Sequence, residues 1–490
     1  MKKNEPINND IKNNGRIYTP VFIVTNILDL ANYKNDILEK NIIDNSCGDG
    51  AFLIEIVKRY CDIFIKKYGK NKKDLLKKHL EKYIHGIEID EVELKKCNEA
   101  LNSEVKKYEI DNLDWDLICA NTLTVNKYNE QMDYVVGNPP YVRVHNLADS
   151  YEEVKKFQFS ENGMTDLYIV FFEIGLKMLN SRGKMCLITP SSCLRSKAGL
   201  NFRKYILKNK NLNKIVDLEH FQPFNATTYT MITLFEADER NDYIEYYNYN
   251  EVKKVPEFIE KLDYSDIFIN ENIFISKKQN LLLLQEIENY NKNISKKISV
   301  KNGFATLSDS IFIGEFKFDN LTIDILKASN GKWHKCIFPY NNSGQPIDIS
   351  EIKKYPDVYN YLLEKKSLLE KRSLSKDGLW YLFGRSQALK DVFKDKIAIN
   401  TIIKDISSIK LKLVPSGKGV YSGLYILTDF TFEQVERAIK NEDFIKYLKL
   451  LKNYKSGGYY TFSSADLQKF LSFTLKTNHY EQSTIFTASR

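Results

Sequence analysis

A short apolar run that stops at a glycine and two prolines constrains this chain more than any other stretch. Asp133-Tyr134-Val135-Val136-Gly137-Asn138-Pro139-Pro140-Tyr141 reads as a strand buried in a sheet, Tyr134 to Val136, followed by a stiff turn. Neither proline can donate to a sheet ladder, and each restricts the residue before it. Open α/β sheets place their ligands just beyond the carboxyl end of such a strand. The Asn138 side chain carries one acceptor and two donors, the prolines supply carbonyls that no N–H of their own can claim, and Tyr141 adds a flat face. An amide oxygen and a carbonyl fixed beside an aromatic plate form a receptor for a planar group bearing an NH2. Asn-Pro alone is an ordinary turn signal, so the stretch also reads as a rigid loop at a strand end.

What precedes this turn reads as a ligand site of its own. A polar, Asn-rich leader ends at Gly15-Arg16-Ile17-Tyr18-Thr19-Pro20, where Thr19 suits a helix N-cap and Pro20 the first helical position. Val21, Val24, Leu28 and Ala31 follow at helical spacing. Asn41 to Leu53 reads as a strand ending near Asp44, a turn with Gly48 and Gly50, then a helix through Ile56 and Tyr60. Glycines let a ligand approach the backbone, and a helix N-terminus favours negative charge such as a carboxylate. The full Gly-x-Gly-x-x-Gly pattern of NAD enzymes is absent. Residues 66–82 are lysine-rich, a solvated helix face or loop. Tyr83 to Asp90 is a second strand closed by the acid Glu88, and Trp115 to Asn121 a third.

Beyond the turn, Asp166 to Met178 reads as a helix whose Leu and Phe positions are core. Strands follow at Gly183–Pro190, Ile215–Leu218 and Tyr229–Phe235. The loop from His220 to Thr228 carries Phe221 and Phe224, which must pack or bind, because exposed phenylalanines are costly.

These motifs, in this order, resemble the gamma class of N6-adenine DNA methyltransferases across the first half of the chain. The resemblance implies an α/β, Rossmann-like S-adenosylmethionine-dependent methyltransferase domain over 1–250 and a mixed α+β target-recognition domain over 251–490. It implies that Tyr18, Thr19 and Pro20 fold over the cofactor and that Asp44, Ser46, Cys47, Gly48 and Gly50 form the first cofactor motif. Glu88 falls to the ribose, while Ile89 and Phe171 fall to the adenine. Asn121 stands where the family commonly has Asp; it keeps an acceptor oxygen and loses the charge. Asn138, Pro139, Pro140 and Tyr141 become catalytic. Phe224 stacks on the target base opposite Tyr141, with Phe221 in reserve. The implied reaction is transfer of the S-adenosylmethionine methyl to N6 of a flipped-out adenine in duplex DNA, without a metal. Its setting is a restriction-modification system with a separate cognate restriction endonuclease, or an orphan methylase.

Charge adds an independent pointer. The 490 residues carry a formal net charge of +8, and the excess of cations lies wholly in 251–490, which suggests a polyanionic partner such as double-stranded DNA. The Tyr-rich strand Tyr243 to Tyr249 is expected to close the first domain, with Glu251 to Pro256 as the crossing. In the second half, Asn302 to Asp309 reads as a turn entering a strand, and 351–371 as a polar helix. Gly378 to Gln387 sets aromatics beside Arg385, Ser386 and Gln387, residue types that contact phosphates and base edges. Lys455 to Ser464 reads as a basic turn and an aromatic strand. Aromatic clusters of this kind are as often core.

The seven cysteines are odd in number and form no Cys-x-x-Cys pair. That argues against a disulfide framework or a zinc site and for a reducing cytosol. With no signal-like leader and no apolar run of membrane-spanning length, a cytoplasmic, nucleoid-associated protein without a membrane partner is expected. Three rivals stand beside the main reading. One is an inert DNA-binding specificity subunit, which the intact Asn138–Tyr141 loop argues against. Another is an amino-methyltransferase acting on RNA or protein glutamine, which shares the loop but does not lead one to expect so large a second domain. The third is a combined restriction–modification enzyme, for which Glu351-Ile352-Lys353 is only a lone Glu-x-Lys and the leader before Tyr18 is short.

Overall fold

The computed structural model describes residues 18–144, 151–163, 165–224, 228–290, 298–372, 374 and 379–476. The leader before Tyr18, residues 225–227 and Gly378 lie outside them. The chain forms two compact units that meet in sequence at Leu282 and Leu283.

Unit 1 is built on one nine-stranded sheet. Its strands are β1 (Ile42–Asp44), β2 (Ile84–Glu88), β3 (Asp116–Cys119), β4 (Met132–Gly137), β5 (Leu179–Pro190), β6 (Leu212–Asp217), β7 (Thr230–Glu236), β8 (Tyr243–Asn250) and β9 (Val255–Asp263). They lie in the order β3-β2-β1-β4-β5-β7-β6-β8-β9. The first five run parallel, and β7 is antiparallel to both β5 and β6. Short β1 is buried at all three positions, as a central strand covered on both faces must be.

Helices α1 (Val21–Leu30), α2 (Ala51–Tyr68), α3 (Lys73–Tyr83), α4 (Glu91–Val105) and α5 (Leu167–Met178) connect and cover these strands. Along α2 the buried positions Phe52, Leu53, Ile56, Val57, Tyr60, Cys61 and Phe64 form one stripe at helical period. The lysine-rich segment 66–82 is thus the end of α2 and most of α3, which buries only Leu76 and Leu80. Pro20, not Thr19, is the residue preceding α1, and its carbonyl accepts from Ile23 and Val24 N–H. Thr19 is left outside the helix, with its hydroxyl available for other work.

The boundary expected at residue 250 falls inside unit 1. β8 pairs with β9 from Tyr243↔Asp263 to Asn250↔Val255, so 251–254 is a hairpin turn within the sheet and not a crossing. A Tyr-rich strand read as terminal is therefore the last but one.

Unit 2 holds two four-stranded sheets and one three-stranded sheet. Asp309–Phe312 is a helical turn, where a strand was expected. Segment 351–371 is broken into Ile349–Ile352, Pro356–Glu364 and Lys366–Glu370, because Pro356 starts a helix and cannot continue one. Phe304, Phe338, Tyr340, Tyr381 and Phe383 pack together as core. Arg372 fastens this region: its guanidinium donates to the carbonyls of Leu369, Thr306, Trp380 and Leu382 at 2.7–3.0 Å. Among the described residues no helix is long and apolar enough to cross a membrane.

Candidate active site

Register brings the site together. β1 pairs with β2 and β4 so that Asp44 lies level with Gly86 and Val136. All three strands leave the sheet at the same edge, and their next residues include Ser46, Glu88 and Asn138. Three stretches far apart in sequence thus end side by side, at the place where open parallel sheets bind ligands.

The first turn is fixed by carboxylates. Asp44 accepts from Ser46 N–H at 3.0 Å, and Glu88 accepts from Gly48 N–H and Asp90 N–H, both at 3.0 Å. Asp90 in turn caps α4 by accepting from Val92 and Glu93 N–H. Gly48 has φ +52°, which favours glycine. Gly50, with φ +92°, precedes α2, and a Cβ there would lie 2.8 Å from Cys97 Sγ of α4. Its role is to let the two helices approach.

A cavity of about 380 Å³ opens between these elements, within the usual size range of small-molecule sites. Of the residues expected to hold the cofactor, Tyr18, Thr19, Asp44, Ser46 and Cys47 line it, as do Gly48, Glu88, Ile89, Asn121 and Phe171. Pro20 and Gly50 do not. Asn121 uses its side-chain oxygen to accept from Leu123 N–H at 3.1 Å, so its acceptor caps a helical turn. Sequence reasoning missed Asp49, Asp90, Glu93, Leu123 and Leu167, which also line the space. Asp49 was legible in Gly48-Asp49-Gly50, and Asp90 as a cap. Glu93 is brought in by the first turn of α4 and meets the Tyr18 hydroxyl at 3.5 Å.

The electrostatics of this cavity are one-sided. Five carboxylates line it, and among the described residues no Lys, Arg or His does. Burial, with Glu88 and Asp49 nearby, raises Asp44 from 3.8 to about 7 despite the Ser46 hydrogen bond. Asp49 is also raised, by burial and then by Glu93. Carboxyl groups held this way favour a cationic ligand. Ser46 Oγ is buried with no hydrogen-bond partner, another group left for a ligand. A sulfonium nucleoside bearing an ammonium group and two ribose hydroxyls fits this donor and acceptor set.

The second loop follows β4. Gly137 has φ +157°, and a Cβ there would lie 2.8 Å from Asp44 Oδ1. Asn138 Nδ2 donates to Thr19 Oγ1 at 3.1 Å, across 119 residues of sequence. Asn138 Oδ1 is buried and has no partner. The Pro139 carbonyl accepts no hydrogen bond from the described residues. Two acceptors are therefore left open on the loop. Pro140 joins Asn138 in lining the cavity.

The aromatic plates differ from the expected arrangement. Tyr141 donates its hydroxyl proton to the Ile188 carbonyl at 3.1 Å, which fixes its ring. Phe224 lies 6.4 Å from that ring at 73°, edge-to-face, and is only 8% exposed. The two rings do not form parallel plates with a base-wide slot between them. Phe221, the reserve choice, stacks on Tyr249 at 5.0 Å and 8°.

In unit 2, Tyr381 and Phe383 are core, whereas Arg385, Ser386 and Gln387 are exposed directly after them. Gln387 donates to the Gly303 carbonyl. Lys455 is exposed on a hairpin formed by Tyr454–Lys455 and Tyr459–Thr461.

The chain is similar in sequence and fold to known proteins. Residues 29–224 match the family model described as Eco57I restriction-modification methylase. The chain is 25% identical to the type II restriction enzyme and methyltransferase RM.Eco57I of Escherichia coli, over 82% of this chain and 50% of that protein. It is 26% identical to the type II methyltransferase M.BstVI of Geobacillus stearothermophilus, over 74% of this chain and 72% of that one. The chain thus spans half the length of the first relative. Among solved structures, the type IIL restriction-modification enzyme MmeI in complex with DNA is similar, with a TM-score of 0.58 and 12% identity. That similarity covers 93% of this chain and 64% of that one. Residues 29–224 are thus similar to the Eco57I restriction-modification methylases, and the chain shares its fold with the restriction-modification enzyme MmeI.

Proposed function

We propose that the chain is a site-specific DNA methyltransferase of a restriction-modification system, and that it methylates N6 of adenine in duplex DNA. The observation that carries this reading is the pair of open acceptors, Asn138 Oδ1 and the Pro139 carbonyl, beside an acidic nucleoside-sized cavity. S-adenosylmethionine, when bound, supplies an electrophilic methyl group on a sulfonium. Asp44, Glu88 and the Ser46 hydroxyl are the groups suited to hold it.

The chain's own residues do the rest by position. An adenine inside a duplex is out of reach, so it is flipped out to the loop. There Asn138 Oδ1 and the Pro139 carbonyl accept the two N6 hydrogens. Both bonds strengthen as positive charge develops on the nitrogen, so they favour the transition state over the bound base. Tyr141 supplies one stacking face, and Phe224 turns from its edge-to-face position to supply the other. The basic unit 2 carries most of the DNA affinity through phosphate contacts, with Arg385, Ser386, Gln387 and Lys455 as contact residues. A separate cognate endonuclease is the companion this reading expects.

The test is methyl transfer from labelled S-adenosylmethionine to duplex DNA, with the modified nucleoside identified. Asn138→Ala should lower the rate by about 10²–10³, the usual loss for one preorganised transition-state donor or acceptor. N6-methyladenine is the expected product. Full activity in Asn138→Ala rejects the mechanism, and methylcytosine as product rejects the choice of base.

A further inference from the structure

We infer that Thr19 is a positioning residue that links cofactor occupancy to the orientation of the Asn138 amide. The inference rests on the methyltransferase reading and adds to it a role for a hydroxyl outside the Asn-Pro-Pro-Tyr loop.

An Asn amide fits its space in two orientations that exchange oxygen and nitrogen. In this structure Nδ2 meets Thr19 Oγ1 at 3.1 Å, and Oδ1 is left buried with no partner. A buried acceptor without a donor is an uncommon and unfavourable state. Turning the amide over would satisfy Oδ1 through the Thr19 proton, but would point the NH2 group at the place meant for an amine. That orientation is useless for chemistry, since an amine hydrogen needs an acceptor. The hydroxyl alone does not decide between the two, because it can donate or accept.

The decision comes from the other side of Thr19. This residue is only 8% exposed, and it also lines the cofactor cavity. A hydroxyl has one proton and two lone pairs. Once an acceptor in the cavity, such as a carboxylate of the ligand, takes that proton, Thr19 Oγ1 can only accept. Nδ2 is then the only amide group that suits it, and Oδ1 is locked toward the target base. Because Pro20 precedes α1 and Thr19 does not cap it, the hydroxyl is not needed to start the helix.

The experiment compares Thr19→Val, which keeps the shape and removes the hydroxyl, with Thr19→Ser, which restores it. Both are studied alone and with Asn138→Ala, in the full-length chain and on long unmodified duplex DNA containing every short site. Three quantities are read: the thermal midpoint, S-adenosylhomocysteine affinity by calorimetry, and the single-turnover methylation rate at saturating S-adenosylmethionine. Thr19→Val should lower that rate roughly tenfold to a hundredfold, the range that follows misplacement of a reacting group or loss of its orienting partner. The thermal midpoint should hold, and the loss in rate should exceed the loss in affinity. Thr19→Ser should recover most of the rate. In the Asn138→Ala background Thr19→Val should add almost nothing, because there is no amide left to orient. A wild-type rate in Thr19→Val overturns the inference, as do independent multiplication of the two losses or a change confined to cofactor affinity. Absence of methyl transfer by the wild-type chain overturns the methyltransferase reading itself, and this inference with it.

Discussion

Raising the pH from 5.5 to 7 should tighten S-adenosylmethionine binding, because Asp44 loses its proton over that interval. Its carboxyl is buried, and burial with the adjacent Glu88 and Asp49 holds it at about 7. With that value about 3% of Asp44 is ionised at pH 5.5 and about half at pH 7, so a ligand that binds the ionised form gains roughly sixteenfold in apparent affinity. The ligand's own amino group, with an ordinary pKa of about 7.7–8.0, stays protonated throughout this window. Binding at pH 7 should release about half a proton. The assay is titration calorimetry at several pH values in two buffers of different ionisation enthalpy. Asp44→Asn keeps the shape of the side chain and should remove most of the slope. The sign for the free protein is opposite. Between about 4 and 7 the folded state holds a proton that the unfolded chain releases, so stability without ligand falls as pH rises through that range. Affinity that stays flat from pH 5.5 to 7 without proton release refutes this reasoning, and so does an undiminished slope in Asp44→Asn.

Other expectations follow from single contacts. Glu88→Ala removes the acceptor of Gly48 and Asp90 N–H, and S-adenosylmethionine affinity measured by calorimetry should fall about 10- to 100-fold, the scale of one or two charge-assisted hydrogen bonds. Arg385→Ala and Gln387→Ala should weaken DNA binding or change the preferred site in methylation mapping while leaving cofactor affinity intact. Arg372→Met leaves four carbonyls without their donor, and should destabilise unit 2 by about 2–4 kcal/mol, read as a lower urea midpoint for its transition.

The parts of the site that were legible share one property: their geometry is dictated within a few residues. A strand closed by glycine and two prolines, a turn with two glycines, and an acid at a strand end place Asn138, Gly48 and Glu88 by local rules. The rest depends on distant partners. Thr19 looks like a cap in any window, and only the folded chain shows it bonded to Asn138. Glu93 and Leu167 reach the cavity through the packing of α4 and α5 against the sheet. Gly50 resembles a ligand-facing glycine, yet the close neighbour is Cys97. The boundary at 250 was misread because a tyrosine-rich strand with one more partner looks the same as one without. Phe224 does lie beside Tyr141, but their edge-to-face angle is set by packing that no local stretch of sequence shows.

The Arg372 guanidinium has a consequence for how this protein can change over generations. It grips the segment ahead of Arg385 only by backbone oxygens, at Trp380 and Leu382, with Thr306 and Leu369 as anchors. Every amino acid carries that oxygen, so these hydrogen bonds do not depend on which side chains the segment carries. Arg385 and Ser386 are exposed directly after that segment, whereas Gln387 returns a hydrogen bond to the Gly303 carbonyl. Under the proposed function, substitutions at positions 385 and 386 should change the DNA preference while folding remains intact, and a laboratory library confined to those two codons would inherit the same tolerance.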